Sequence, residues 1–214
     1  MTEHTLPPAL IEVFSEARLR RYMRPGEDYT QAFARYQENI RLSESLLPAL
    51  HYLEVILRNR LDTAIRQVYG KDWLLRVPAA LPMEAYNREK ISAAHAAFRF
   101  EKRRAPTHND LVATMTFGFW CALFHKRYDP ALWHRGHFFP TVFPNWPREQ
   151  RKRGVIQPKL YIIKDLRNRI AHHEPIGDWK PGATIGHRLC LELIGAMTPE
   201  ALERLREVDR FAGA

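Results

Sequence analysis

The residues of this chain best equipped for chemistry gather in one run, Leu166-Arg167-Asn168-Arg169-Ile170-Ala171-His172-His173-Glu174. Histidine titrates near neutral pH and can take or give a proton. Arginine presents a planar fork that matches phosphate oxygens. An asparagine amide can orient an imidazole or hydrogen-bond a phosphate. Together these groups suit the cleavage of RNA, which carries its own nucleophile, the 2′-hydroxyl. That reaction needs a base for the hydroxyl proton, an acid for the departing 5′-oxygen and positive charge on the phosphorane. It needs no metal, and the chain offers neither a convincing carboxylate cluster for magnesium nor a Cys/His set for zinc. No metal and no cofactor are therefore expected. An Arg-x4-His spacing is common by chance, however, and a basic helix end with two histidines also reads as a solvated terminus. Asn168 beside the arginine, the tandem histidines and Glu174-Pro175 make the run more specific than the spacing alone.

These residues must be held by a helix. Residues 148–173 read as helical, with an interruption near Gly154 to Pro158. At ~100° per residue, Asn168 and His172 share one face. Arg167 lies roughly 140° from His172 around the axis, within the swing of a long side chain. Ile163, Leu166 and Ile170 hold the opposite face in the core. Pro175 disfavours helical continuation at Glu174, so the helix should end near His173. Unpaired carbonyls there favour an imidazolium, while the two neighbouring guanidiniums oppose it.

The remaining elements also read as helices, and no sustained period-2 alternation appears. Residues 9–23 carry the cluster Arg18, Arg20, Arg21 and Arg24 and stop at Pro25-Gly26. A second helix spans 29–45. A third starts at Pro48, with Leu50, Leu53, Leu57, Leu61 and Ile65 inward and Gly70 at its end. A fourth covers 83–103. A fifth, 110–128, is apolar on most faces and hence buried, with Asn109 or Asp110 as its cap. An aromatic and Pro-rich loop runs from Pro130 to Pro147, long enough either to be functional or to be an irregular packed segment. Helices at 184–196 and 199–211 close the chain. The tetrapeptide Leu57-Arg58-Asn59-Arg60 is repeated as Leu166-Arg167-Asn168-Arg169 on a different helix.

Composition sets the bounds. The 214 residues are 45% hydrophobic, ordinary for a globular protein. Cys121 and Cys190 sit in apolar surroundings and read as buried free thiols of a reducing compartment. No leader peptide opens the chain and no run approaches the ~20 apolar residues of a membrane span, so a cytoplasmic protein without a membrane partner is expected. A formal charge of +9 favours polyanions. The stretches 18–24, 102–104 and 148–153 could line a basic groove toward the motif, or stand apart as three solvated helix ends. Trp146 and Phe143 could stack on unpaired bases, though core packing accounts for them more simply.

The run Arg167-Asn168-Arg169-Ile170-Ala171-His172-His173-Glu174-Pro175-Ile176 resembles the signature of the Abi-like (abortive infection) family of the HEPN superfamily: Arg, a polar residue, three variable residues, then His. The resemblance extends upstream. Leu53-Glu54-Val55-Ile56-Leu57-Arg58-Asn59-Arg60, followed by Tyr69-Gly70-Lys71-Asp72-Trp73, is similar to the family's N-terminal helix and its end. Asp110-Leu111-Val112 with Thr116-Phe117-Gly118-Phe119-Trp120 is similar to its middle helix. The match runs from about residue 30 to 180. It implies an all-α fold, a single HEPN-like helical bundle over 1–214, with a basic N-terminal helix in 1–28 and appended helices in 184–214. It implies that Arg167 and His172 are a catalytic pair supported by Asn168. It places His173, Glu174 and Arg169 beside the site, and Glu54, Arg58 and Asn59 in a second family stretch. There, a Glu54–Arg58 pair would brace the motif helix or take part in the RNA site. It further implies a homodimer whose two motifs meet in one composite site, RNA as partner, and a toxin-like role in phage defence, with an antitoxin or small RNA as a further partner. Two other readings stand beside this one: a non-catalytic module that binds a structured RNA, and a structural domain that merely retains the motif.

Overall fold

The computed structural model describes residues 5–211, so the outer ends of the 1–214 span lie outside the described residues. Among those residues every regular element is helical. In chain order these are α1 (Pro8–Phe14), α2 (Glu16–Arg20), α3 (Tyr29–Tyr69), α4 (Ala85–Phe100), α5 (His108–Thr114), α6 (Phe117–Ala122), α7 (Phe138–Val142), α8 (Arg153–Ala171), α9 (Ala183–Met197) and α10 (Pro199–Arg206). No described helix is long and apolar enough to cross a membrane.

The spine is α3, a helix of 41 residues and so about 60 Å long. The two helices predicted at 29–45 and from Pro48 are one. Asp28 and Gln31 form a reciprocal capping box at its start, and Gly70 follows its end. Pro48 removes one N–H bond, a defect of about 3 kcal/mol in an isolated helix. Around it Leu46, Ala49, Leu50, Leu53, Leu57, Leu61, Ala64 and Ile65 are all buried. Each buried leucine contributes about 1.5–3 kcal/mol, so burial outweighs the proline. The same reasoning applies to α8, which runs unbroken through Gly154 and Pro158 because Ile156, Leu160, Ile163 and Leu166 are fully buried.

Elsewhere, predicted helices are divided. Ser15, at φ 63°, separates α1 from α2 and caps the latter through its side chain. The apolar segment 110–128 breaks at Met115, whose backbone is extended, and Thr116 caps α6. The cap of α5 is Thr107, in a box with Asp110. The stretch Pro130 to Pro147 is not structureless: it holds a π-helical turn at Asp129–Trp133 and the helix α7. Its aromatics Trp133, Phe138, Phe139, Phe143 and Trp146 are buried and pack edge-on or tilted on one another.

Helices α5, α6, α7, α8, α9 and α10 all pack on α3, and one continuous apolar cluster links them. Buried Asp62 of α3 accepts from Trp73 Nε1 and pairs with His108 Nε2, both at 2.7 Å, tying the turn after α3 and the start of α5 to the spine. The motif helix α8 is wedged between α6 and α9. The approach to α9 is closest at Gly186, where an added Cβ would overlap Leu166 Cδ2. Leu166 is fully buried, so its methyl can yield only against packed neighbours. Gly186→Ala should therefore lower stability by about 1–3 kcal/mol in denaturant melts and speed amide exchange along α8; unchanged stability would show that this contact yields easily.

Candidate functional site

The motif lies where α8 ends. His172 is the C-cap, its N–H bonded to the Asn168 carbonyl at 2.9 Å. His173 follows at φ 54°, the left-handed position usually held by glycine. His173 N–H donates to the Ile170 carbonyl (3.1 Å) and Glu174 N–H to the Arg169 carbonyl (2.8 Å), which completes a Schellman turn. The predicted helix end is thus correct, and Pro175 stands just beyond it.

This turn is pinned by groups that sequence reasoning passed over. Arg18 Nη1 donates to the His173 carbonyl at 2.8 Å and to that of His172 at 3.3 Å. The Tyr22 hydroxyl donates to the same His173 carbonyl at 2.9 Å. Burial raises the Tyr22 phenol above its ordinary value, so it keeps the proton it donates. Buried Asn39 bridges the next residues: its Nδ2 donates to the Glu174 carbonyl (3.2 Å) and its Oδ1 accepts from Ile176 N–H (2.8 Å). Arg18 was legible only as one member of a basic cluster. Asn39 had a fainter signal, an amide set among the apolar positions Tyr36, Ile40 and Leu42 of a helix.

Around this fixed backbone the side chains divide. Arg167 leans toward Glu54 across the α3–α8 interface, Nε to Oε2 3.7 Å. Arg167 and Asn168 line one groove of about 420 Å³ with Lys90, Lys164 and the Phe117-Gly118-Phe119 turn; His172 lies outside that lining. Asn168, His172 and His173 are exposed, and none of the three side chains has a hydrogen-bond partner within the described residues. Arg169 folds back onto its own element, 3.3 Å from both Asp165 and Glu174, and Asp165 also accepts from Trp179 Nε1 at 2.7 Å. Arg169 and Glu174 thus brace the turn.

The second stretch divides between two places. No Glu54–Arg58 ion pair forms within 4.0 Å; Glu54 turns to Arg167 instead. Arg58 reaches the Ala113 carbonyl at 3.5 Å, and with Asn59 it lines a separate cavity beside Arg66 and Asn109. The repeated tetrapeptide therefore serves two places, with Leu57 and Leu166 both in the core.

Of the three basic stretches only 18–24 touches the motif. Arg104 pairs with Asp110 at 2.6 Å and holds that carboxyl well below the usual range. Arg153 pairs with Asp129 at 2.5 Å, and Arg151 donates to the carbonyls of Trp146 and Pro144. Phe143 and Trp146 are buried in the aromatic cluster and cannot stack on bases. Both cysteines are buried free thiols, and burial pushes both upward, away from reactivity. No group of three or more potential ligands is placed to hold a metal among the described residues.

No protein-family model matches the chain, nor does any curated protein or solved structure.

Two outcomes follow from the pinned turn. His173→Gly removes the left-handed strain and keeps both turn bonds, so it should stabilise the fold by about 1 kcal/mol in thermal or denaturant melts; a loss would mean that the imidazole itself holds the turn. The loop that carries Tyr22 is tied by a Glu27–Arg35 ion pair, while Arg35 also donates to the Tyr22 carbonyl at 3.1 Å. Arg35 holds the Glu27 carboxyl down from 4.5 to about 2. Its contribution is therefore fully present above pH 4.5 and is lost as pH falls toward 2. An NMR titration of the Glu27 carboxyl should show this low midpoint, and Arg35→Gln should raise it toward the ordinary value, short of it by what the Arg24 N–H and charge still hold.

Proposed function

We propose that the chain is a HEPN-type, metal-independent endoribonuclease of the Abi-like kind, with a HEPN-like bundle as its fold. The observation that carries this reading is the division of labour at the end of α8. The backbone from His172 to Ile176 is held by Arg18, Tyr22 and Asn39. The side chains of Asn168, His172 and His173 are exposed and unpartnered. Groups with proton-transfer and phosphate chemistry thus stand open to a substrate on a fixed backbone, the frame on which substrate contacts would complete a preorganised site. In this reading Arg167 binds the scissile phosphate and offsets charge on the phosphorane. His172 takes the 2′-hydroxyl proton or supplies one to the leaving 5′-oxygen. Asn168 supports either the phosphate or the imidazole. Glu54 orients Arg167, and Arg169 with Glu174 holds the turn. Cytoplasmic action in phage defence, restrained by an antitoxin or small RNA, belongs to the same proposal.

One observation favours a second reading. The groove that holds Arg167 and Asn168 does not include His172. A single copy then suits an RNA-binding module, unless a second copy brings another motif to the first, as the composite homodimer site would.

Both readings meet one experiment. A pooled RNA is incubated with excess chelator and wild type, Arg167→Ala or His172→Ala. The nuclease reading expects 2′,3′-cyclic phosphate ends from wild type and a loss of about 10²–10⁴-fold in rate for His172→Ala. Binding without cutting by wild type would establish the module, and neither binding nor cutting would end both. Light scattering decides the composite site, which a strict monomer at assay concentration would exclude.

A further inference from the structure

The groove beside Arg167 carries more than the motif. Its far wall is the first turn and a half of α4. Tyr86 there is 63% exposed, an unusual setting for so large an aromatic, and it lines the groove. Lys90 Nζ lies 4.7 Å from the centre of the Tyr86 ring and steadies it. The near wall is α8, where Lys164 precedes Arg167 by one turn and faces the same space. Among the described residues neither Lys90 nor Lys164 has a carboxylate within 4.0 Å. Glu84, the one carboxylate of the lining, is paired with Arg127 at 3.2 Å. Asn87, only 2% exposed, also lines the groove. The groove therefore offers cations, with an exposed ring on the rim.

Size and chemistry limit the occupant. About 420 Å³ lies near the lower end of ligand-site volumes and has room for one nucleotide. Unpaired cations on both walls favour a phosphodiester over a neutral ligand. An exposed aromatic favours a base whose face is free, which a duplex does not offer.

We propose that this groove seats one unpaired nucleotide next to the phosphate held by Arg167. Its base stacks on Tyr86, and Lys90 and Lys164 contact the backbone. The proposal rests on the RNA reading for its occupant, but it requires binding only. Tyr86 acts here as a specificity residue for single strands, and it takes no part in proton transfer.

The test uses full-length protein carrying His172→Ala, so that RNA is not consumed. Fluorescence anisotropy compares an unstructured 12-nucleotide RNA with a duplex of the same sequence. Single strands should bind more tightly than duplex. Tyr86→Ala should weaken single-strand binding roughly 5- to 100-fold, the range expected for loss of one base stack, and leave duplex binding unchanged. Tyr86→Phe should restore it. Because Tyr86 is exposed, these variants should melt with the parent. Lys90→Ala and Lys164→Ala should each reduce the slope of log affinity against log salt by about 0.7, a change that a purely structural role would not produce. Equal binding of duplex and single strand, or no effect of Tyr86→Ala, overturns the proposal. RNA bound through Tyr86 but left uncut by the otherwise native protein would sustain the groove and remove the nuclease. RNA cut at an unchanged rate by Tyr86→Ala, with unchanged binding, would do the reverse.

Discussion

The apolar stripe of α3 is the constraint from which the other positions follow. A helix of this length cannot stand alone with leucines along one side in water. It is held by the helices that cover Leu46, Leu50, Leu53, Leu57, Leu61 and Ile65. That covering decides where α8 runs, since the motif helix is one of the pieces that must close over the stripe. It also explains the tolerance of Pro48 and Pro158, each a local fault inside a helix whose buried flanks keep it continuous. Polar groups enter this core where they serve geometry, as Asp62 does between Trp73 and His108.

A second requirement acts at the end of α8. The last carbonyls of a helix lack partners within it; here the Schellman turn answers them, and the carbonyls just beyond it face the N-terminal layer of the protein. Arg18 and Tyr22 answer the His173 carbonyl, and Asn39 answers the one after it. A basic cluster that looks suited to phosphates thus partly serves the backbone. Arg20 and Arg24 are likewise paired, with Glu16 and Asp178. Lys90, Lys164 and Arg167 instead line the groove along α8.

Much of this was legible beforehand and some was not, for physical reasons. The all-helical class, the inward leucines of α3, the buried face of α8 and the stop before Pro175 follow from periodicity and proline chemistry, which are local. Helix boundaries at Pro48, Gly154 and Met115 were misjudged because tertiary burial overrides local preference, and burial is not local. The Glu54–Arg58 pair failed for a similar reason: i,i+4 spacing permits a contact, but Arg167 on another helix competes for the same carboxylate. Trp146 and Phe143 could have been exposed or buried on sequence grounds, and packing around α7 decided it. Of the candidate residues, Arg167 and Asn168 come together in one groove, His172 and His173 stand beside it, and Arg58 and Asn59 line another cavity. Asn39 gave only a faint signal and Arg18 none beyond its basic cluster, because their partners are backbone atoms more than 130 positions away.

That last separation has a consequence for how the protein comes into being. The bond from Arg18 to the His173 carbonyl spans 155 residues. During synthesis the N-terminal layer emerges first and the turn it must grip emerges late. The motif can adopt its held geometry only after residues 172–176 have left the ribosome and folded back against α2 and α3. Until then the carbonyls of His173 and Glu174 lack the partners that fix them. The turn that carries the two histidines is therefore among the last parts of the chain to take shape, and a nascent copy carries its residues without their arrangement.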